Sequence, residues 1–318
     1  MSPLSPVSAV PGRRRLAALR ATVPLLAAGV TLGLLANAPL AAADPTGAPA
    51  PSERAARASA TKPNLTAAAR RAHLQPGNAT MGWYDKQASA STAKKAPVTL
   101  SSTGRGVTPA AAPNRVYGID VASYQGNLNW TSYRSQGKQF AYVKATEGTS
   151  YRNPYFARQY GGSAKAGMIR GAYHFAIPSR SSGAAQADYF VARGGGWSRD
   201  GKTLPGVLDI EYNPYGSTCY GFSQRSMVSW INSFTTRYKK RTGRDAVIYT
   251  TADWWRTCTG NTTAFRTKNP LWVARYASSA GTLPGGWGYY TFWQYSGTTI
   301  DKDRFNGSLV RLRKLATG

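Results

Sequence analysis

The chain is predicted to be an α/β protein, an irregular TIM-like β/α barrel, on three observations from residues 115–318. Strand and helix signals alternate over the first part of this region. The strand candidates are short and rich in Val, Ile, Tyr, Phe and Trp, as buried strands are. After Ala246 the strands crowd together with only short helical patches between them. Alternating β and α followed by mostly β is the pattern of a parallel barrel with an irregular last third.

The strand candidates are 117–121, 140–145, 170–176, 206–211, 246–251, 271–276 and 291–295, with a short eighth at 299–301. A helix is expected from Asn153, with Pro154 in its first turn and Gly167 just past its end, the usual asymmetry of helix termini. Further helices are expected over 182–192 and 223–242. In the second of these, Met227, Trp230, Ile231, Phe234 and Tyr238 recur at spacings of three and four, and Gly243 follows. About 200 residues suffice for one domain with a substantial core.

The residues before this domain read differently. Arg13, Arg14, Arg15 and Arg20 precede an apolar run over 23–36, and Ala41-Ala42-Ala43 offers a cleavage site before Asp44. The run is shorter than the roughly 20 residues that span a bilayer, so residues 1–43 are expected to be a cleaved signal peptide, by either the general or the twin-arginine route. The mature chain is then secreted, with no membrane contact. Residues 44–114, rich in Ala, Pro, Ser, Thr and basic residues, cannot bury a core of their own and are expected to be a disordered linker or pro-segment. One island within them, Met81-Gly82-Trp83-Tyr84-Asp85, is aromatic enough for a docking motif, but a solvated turn is the favoured reading.

Forty basic residues against 13 acidic ones give a formal net charge of +27. Arg237, Lys239, Lys240, Arg241 and Arg244 crowd one helix end, where cations suit the helix dipole. In an exported monomer the excess also allows attraction to anionic cell-wall polymers. Nucleic acid is not expected, because no zinc-finger spacing or RNA-binding signature accompanies the charge. Cys219 and Cys258 are the only cysteines, and in an exported protein they most simply form one disulfide. It would close a loop of about 40 residues, worth roughly 4 kcal/mol in the chain-entropy model. With only His73 and His174 available, no metal site or other cofactor is expected. His174 follows Tyr173 in a strand, points the other way and reads as structural. No Gly-x-Ser-x-Gly elbow supports a serine hydrolase.

The chemistry is expected from acids. In Val207-Leu208-Asp209-Ile210-Glu211-Tyr212 two carboxylates sit two residues apart in an apolar strand, so both face one side. Acid pairs on a buried strand are costly without a chemical use. Asp120 ends the first strand candidate and Asp301 the last, and in a barrel such ends converge on the rim that carries active sites. Two facing carboxylates can protonate a leaving sugar oxygen and meet an oxocarbenium-like ion, because each raises the other's pKa.

Six motifs in order carry a resemblance. They are Tyr117-Gly118-Ile119-Asp120-Val121-Ala122-Ser123-Tyr124-Gln125-Gly126, Tyr142-Val143-Lys144-Ala145-Thr146-Glu147-Gly148, Gly171-Ala172-Tyr173-His174-Phe175, Leu208-Asp209-Ile210-Glu211, Trp293-Gln294-Tyr295 and Ile300-Asp301. Over residues 115–315 the chain resembles the family 25 glycoside hydrolases, the Chalaropsis-type lysozymes. The resemblance implies five βα units followed by further strands, and hydrolysis of the β-1,4 bond between N-acetylmuramic acid and N-acetylglucosamine in peptidoglycan. It implies Glu211 as general acid, Asp209 as its partner, and Asp120 and Asp301 as supporting carboxylates. Direct attack by Asp209 and orientation of the substrate's 2-acetamido group both stay open. Tyr173, Tyr249, Tyr276 and Trp293 are candidate sugar-stacking residues, and Lys144 a candidate donor. Two other classes stay in view. One is a catalytically idle wall-binding module. The other is a chitin-type substrate-assisted glycosidase, whose full acid motif is missing because Pro205, Gly206 and Val207 precede Leu208.

Overall fold

The computed structural model describes residues 77, 79–84, 115–297 and 299–318. The expected signal peptide and most of the expected linker lie outside them. Among the described residues no helix is long and apolar enough to cross a membrane.

Among the described residues nine strands form one sheet: β1 (Val116–Val121), β2 (Lys138–Glu147), β3 (Tyr151–Arg152), β4 (Ile169–Phe175), β5 (Val207–Asp209), β6 (Val247–Thr251), β7 (Leu271–Ala274), β8 (Phe292–Ser296) and β9 (Asp301–Phe305). Pairing runs β1-β2-β4-β5-β6-β7-β8-β9 and back to β1, which closes an eight-stranded barrel, while β3 is a short antiparallel flap on β2. Every barrel pair is parallel except the two made by β9, which runs antiparallel to both β8 and β1. The α-helices among the described residues are α1 (Trp130–Ser135), α2 (Phe156–Lys165), α3 (Gly183–Phe190), α4 (Gln224–Thr242), α5 (Ala252–Thr259) and α6 (Leu309–Thr317).

Strand parity builds two apolar layers. Inward positions such as Phe140, Tyr142, Tyr173, Val207, Val247, Tyr249, Trp272, Phe292 and Phe305 fill the barrel. Alternate positions such as Ile119, Val121, Val143, Leu208, Ile210, Ile248 and Val273 meet the helices outside. Helix α4 forms as its spacing predicts: the Ser223 hydroxyl accepts from Ser226 N–H, Met227, Trp230, Ile231, Phe234 and Tyr238 are buried, and Gly243 caps the end at φ 75°. Helix α2 starts at Phe156, later than expected, after a turn in which Asn153 Oδ1 accepts from Tyr155 N–H at 2.9 Å and Asn153 O from Phe156 N–H at 3.1 Å. The Asn153 side-chain NH2 donates to Lys144 O at 2.8 Å and to Gln159 Oε1 at 2.9 Å, which ties this turn to β2.

The last strand differs most from expectation. It was expected over 299–301 and instead begins at Asp301. Its alternation Asp301-Lys302-Asp303-Arg304 hides a strand from any reading that looks for apolar residues, yet both aspartates are buried while the two cations are half-exposed. Because β9 runs antiparallel, its first residue lies on the rim where the parallel strands end. The ladder of β5 also stops earlier than expected, at Asp209, although Ile210 N–H still donates to Tyr249 O at 3.0 Å. A disulfide joins Cys219, in the loop beyond β5, to Cys258 in α5.

His174 sits between barrel and helices, stacked on Phe234, with Nδ1 2.8 Å from Thr146 Oγ1 and Nε2 2.8 Å from Gln186 Oε1. The Gln186 oxygen can only accept, so Nε2 carries the proton and Nδ1 accepts from the threonine hydroxyl. Burial pushes the imidazole pKa down to about 3, aided by the Lys144 charge and opposed by the Gln186 hydrogen bond. The unfolded chain therefore takes up a proton near pH 6.5 that the folded chain refuses until about pH 3. This stability is complete above pH 6.5 and is lost as pH falls towards 3. Denaturant unfolding should show about 2–3 kcal/mol less stability at pH 4.5 than at pH 7. The difference should shrink in His174→Gln, and an unchanged pH slope in that variant would refute the assignment.

Candidate active site

Asp120, Asp209, Glu211 and Asp301 are brought to one barrel mouth. Ile119 and Val121 belong to the outer layer, so Asp120 between them faces in. Asp301 is its direct antiparallel partner across the β1–β9 ladder. Leu208 and Ile210 likewise face out, which turns Asp209 and Glu211 inward. None of the four is more than 1 % exposed. The buried tyrosines between them report their proximity. Burial raises the pKa of Tyr173 well above 10, and the charges of Asp120, Asp209 and Asp301 raise it further. Tyr249 is raised in the same way by burial and then by Glu211, Tyr276, Asp209 and Asp120.

Gln294 organises one wall. Its Nε2 donates to Asp120 Oδ2 at 2.7 Å, and its Oε1 accepts from Tyr249 Oη at 2.7 Å and Tyr276 Oη at 3.0 Å. Lys144 organises the other, pairing through Nζ with Glu147 Oε2 at 2.6 Å with both side chains buried. Strict alternation would place residues three apart on opposite faces. A register shift between Lys144 and Thr146 breaks the parity, so Thr146 meets His174 outside while Glu147 returns inward beside Lys144. The Tyr215 hydroxyl donates to Glu147 Oε1.

Tyr173, Tyr249, Tyr276 and Lys144 thus lie at the mouth, as their positions in the sequence suggest. Trp293 does not. It belongs to the outer layer, where its Nε1 donates to Arg275 O at 2.8 Å and Arg304 lies 4.6 Å over its ring. Its neighbour Gln294 faces in, and one position of parity decides between them. Gln294, Glu147, Tyr215 and Tyr220 are mouth residues that the sequence reading does not select. Gln294 had a signal in strand parity, whereas Glu147 needed knowledge of the bulge. Among the described residues no cluster of three or more His, Cys, Asp or Glu is arranged to hold a metal ion.

The island at 81–85, expected to be a solvated turn, is a correction. Met81 is fully buried and Trp83 is 3 % exposed, both against the barrel mouth rather than in solvent. These two side chains find on the barrel the apolar surface that a segment of this composition does not supply for itself. Asp85 lies outside the described residues.

Comparison with known proteins agrees with this geometry. The family model described as Glycosyl hydrolases family 25 matches residues 119–304. Lysozyme M1 of Streptomyces globisporus is 56 % identical over 209 residues, covering 63 % of this chain and 71 % of the relative. The N,O-diacetylmuramidase of a Chalaropsis species is 51 % identical over 210 residues, covering 64 % of this chain and all of the relative. Among solved structures, a muramidase from Acremonium alcalophilum superposes with a TM-score of 0.63 at 56 % identity, covering 64 % of this chain and 99 % of that one. The bacterial lysozyme from Streptomyces coelicolor superposes with a TM-score of 0.63 at 56 % identity, covering 64 % of this chain and 97 % of that one.

The buried Lys144–Glu147 pair makes a stability prediction. Lys144→Met leaves a buried carboxylate without its cation and should cost about 3–5 kcal/mol. Adding Glu147→Gln to that variant should recover much of the loss. Denaturant unfolding of the double-mutant cycle measures the coupling, and additive losses would contradict it.

Proposed function

The chain belongs to glycosyl hydrolases family 25, and from that premise we propose that it is a secreted N-acetylmuramidase, a lysozyme that hydrolyses the β-1,4 bond between N-acetylmuramic acid and N-acetylglucosamine in bacterial peptidoglycan. The observation that carries this reading is the convergence of Asp120, Asp209, Glu211 and Asp301 on one mouth beside Tyr173 and Tyr249. The names of the relatives, a lysozyme and an N,O-diacetylmuramidase, support the substrate.

Glu211 protonates the leaving glycosidic oxygen. Positive charge then develops at the anomeric carbon, and Asp209, on the same side of the same strand segment, supplies the opposing negative charge. Asp120, held by the Gln294 amide, and its ladder partner Asp301 keep the mouth negative as the charge grows. Tyr249 and Tyr276 offer rings to the sugar faces, with hydroxyls anchored on Gln294 so that the rings need not be ordered when substrate binds. Water then adds its oxygen to the anomeric carbon and gives one proton to the Glu211 carboxylate, which restores the acid.

The formal charge of +27 supports attraction to anionic wall polymers. The expected patch at the end of α4 is partly spent inside the protein: Arg237 and Arg241 both pair with Asp188, and Lys239 with Asp245. The attraction is therefore ascribed to the distributed charge rather than to that cluster. Sedimentation with insoluble peptidoglycan should weaken steeply between about 50 mM and 500 mM salt. Salt-independent binding would assign recognition to the cleft alone.

Catalysis is tested on the barrel beginning at Arg115, about as long as the 64 % of the chain that the solved relatives cover. Glu211→Gln should lower release of reducing ends from peptidoglycan by about a hundred- to ten-thousand-fold with an unchanged melting temperature. Full activity in the variant would refute the assignment. Binding without hydrolysis by the unsubstituted barrel would favour an idle wall-binding module, and faster cleavage of chitin oligomers than of peptidoglycan would favour the chitin-type reading.

A further inference from the structure

Gly77 and residues 79–84 lie across the mouth just described, and their contacts are specific. Gly77 N–H donates to Glu147 Oε1 and to Tyr215 Oη, each at 3.1 Å. Lys144 Nζ donates to Gly77 O at 3.0 Å and also to Ala79 O. Gly82 N–H donates to Glu211 Oε1 at 2.7 Å, and Gly82 O accepts from Tyr276 Oη at 3.4 Å. The Trp83 indole donates to Tyr212 O at 2.9 Å, and Tyr84 stacks on Tyr212 with ring centroids 4.1 Å apart. Met81 is fully buried and joins the inner cluster that includes Tyr173, Tyr249 and Trp272.

This segment meets the residues to which the muramidase reading gives work. Glu211, Lys144 and Tyr276 bind the strap directly, and the floor of tyrosines receives Met81. A carboxylate that protonates a polysaccharide must be reachable, yet Glu211 is 1 % exposed with the strap in place. The strap also holds Glu211 as an acceptor, the opposite of the role its chemistry requires. The fit has a chemical basis: backbone amides present the same N–H and C=O groups as the acetamido substituents of the substrate. Gly82 is required at its position. Its φ is +67°, and an added Cβ would come within 2.2 Å of Tyr276 Oη and 2.6 Å of Gln294 Oε1.

We propose that residues 77–84 are an autoinhibitory strap that occupies the substrate cleft and keeps the full chain latent until the strap is displaced or severed from the barrel. The inference rests on the muramidase reading of the cleft. The strap is tethered to the barrel through the chain, so it binds at a high effective concentration. Cutting between Tyr84 and Arg115 turns it into a separate peptide that dilutes away.

The test uses the full chain lacking only residues 1–43 and measures release of reducing ends from soluble peptidoglycan fragments. Gly82→Ala, which cannot seat the strap and leaves every residue of the catalytic machinery unsubstituted, should be at least about tenfold more active than the unsubstituted chain, with its cooperative melting retained. A synthetic peptide of residues 77–84 should inhibit the Gly82→Ala chain competitively. Equal activity of the two chains, with both silenced by Glu211→Gln, overturns the strap and leaves the muramidase reading intact. Loss of cooperative melting in Gly82→Ala makes the segment a structural plug and also overturns the strap. No hydrolysis by the Gly82→Ala chain or by the barrel beginning at Arg115 overturns the muramidase reading and the strap with it.

Discussion

Four carboxylates withdrawn from water at one barrel mouth are the constraint to which the surrounding structure answers. An ionised acid in a low-dielectric site costs several kcal/mol unless hydrogen bonds or opposite charge offset it. The mouth answers with groups that are themselves held in place. Gln294 spends its amide on Asp120 and its oxygen on two tyrosines, so three polar groups are ordered by one side chain. Lys144 brings a buried cation to the same mouth, paired with Glu147. Burial and the neighbouring charges keep Tyr173, Tyr220 and Tyr249 protonated and neutral beside the acids, with the Tyr249 hydroxyl donating to Gln294 and that of Tyr220 to Ala176 O. A site built this way is stiff before substrate arrives, which electrostatic stabilisation of a developing cation requires.

Two departures from a regular barrel make the site possible. A regular parallel barrel would place the start of its last strand at the far end from the active rim. Reversing β9 places Asp301 directly against Asp120 instead. The register shift in β2 does the same locally, returning Glu147 to the face of Lys144. Both irregularities lie where acids are needed, consistent with the tendency of bulges and broken rules to gather at active sites. The disulfide between Cys219 and Cys258 ties the loop that follows Glu211 to α5, so a segment outside the strand ladder is held covalently.

The barrel and its acids were largely legible because both depend on local parity. Alternation in 207–211 placed Asp209 and Glu211 on one side, and helix α4 carried its spacing, cap and terminal glycine in plain view. What could not be read depended on pairing between distant segments. The strand Asp301–Phe305 is charged at four of its five positions and becomes a strand only through its two neighbours. Trp293 was selected for its type, although parity with Gln294 decides which of the two faces the mouth. The seating of Met81 and Trp83 was invisible for a similar reason. A short aromatic island carries no periodicity, and its partners lie about 130 residues away in sequence, as in the bond from Gly82 to Glu211.

The strap and the acid mouth explain each other physically. An open mouth holding four carboxylates would stay hydrated, and its charges would repel one another across water. A neutral peptide that donates backbone N–H groups to Glu147 and Glu211 and offers its carbonyls to Lys144 satisfies those groups without adding charge. The hold is stronger for being intramolecular, because a tethered segment binds at an effective concentration that a wall polymer in free solution does not reach. It is also limited. Gly82 contributes no side chain, and Tyr84, stacked on Tyr212 and edge-on to Trp83, stays 38 % exposed. Once the tether is cut, these few contacts must offset the full entropy of ordering a free peptide. A long glycan chain presents its amides on a stiffer backbone and along the whole cleft. The same contacts that suffice for a tethered strap are then too few for a free one, and the mouth passes to the substrate.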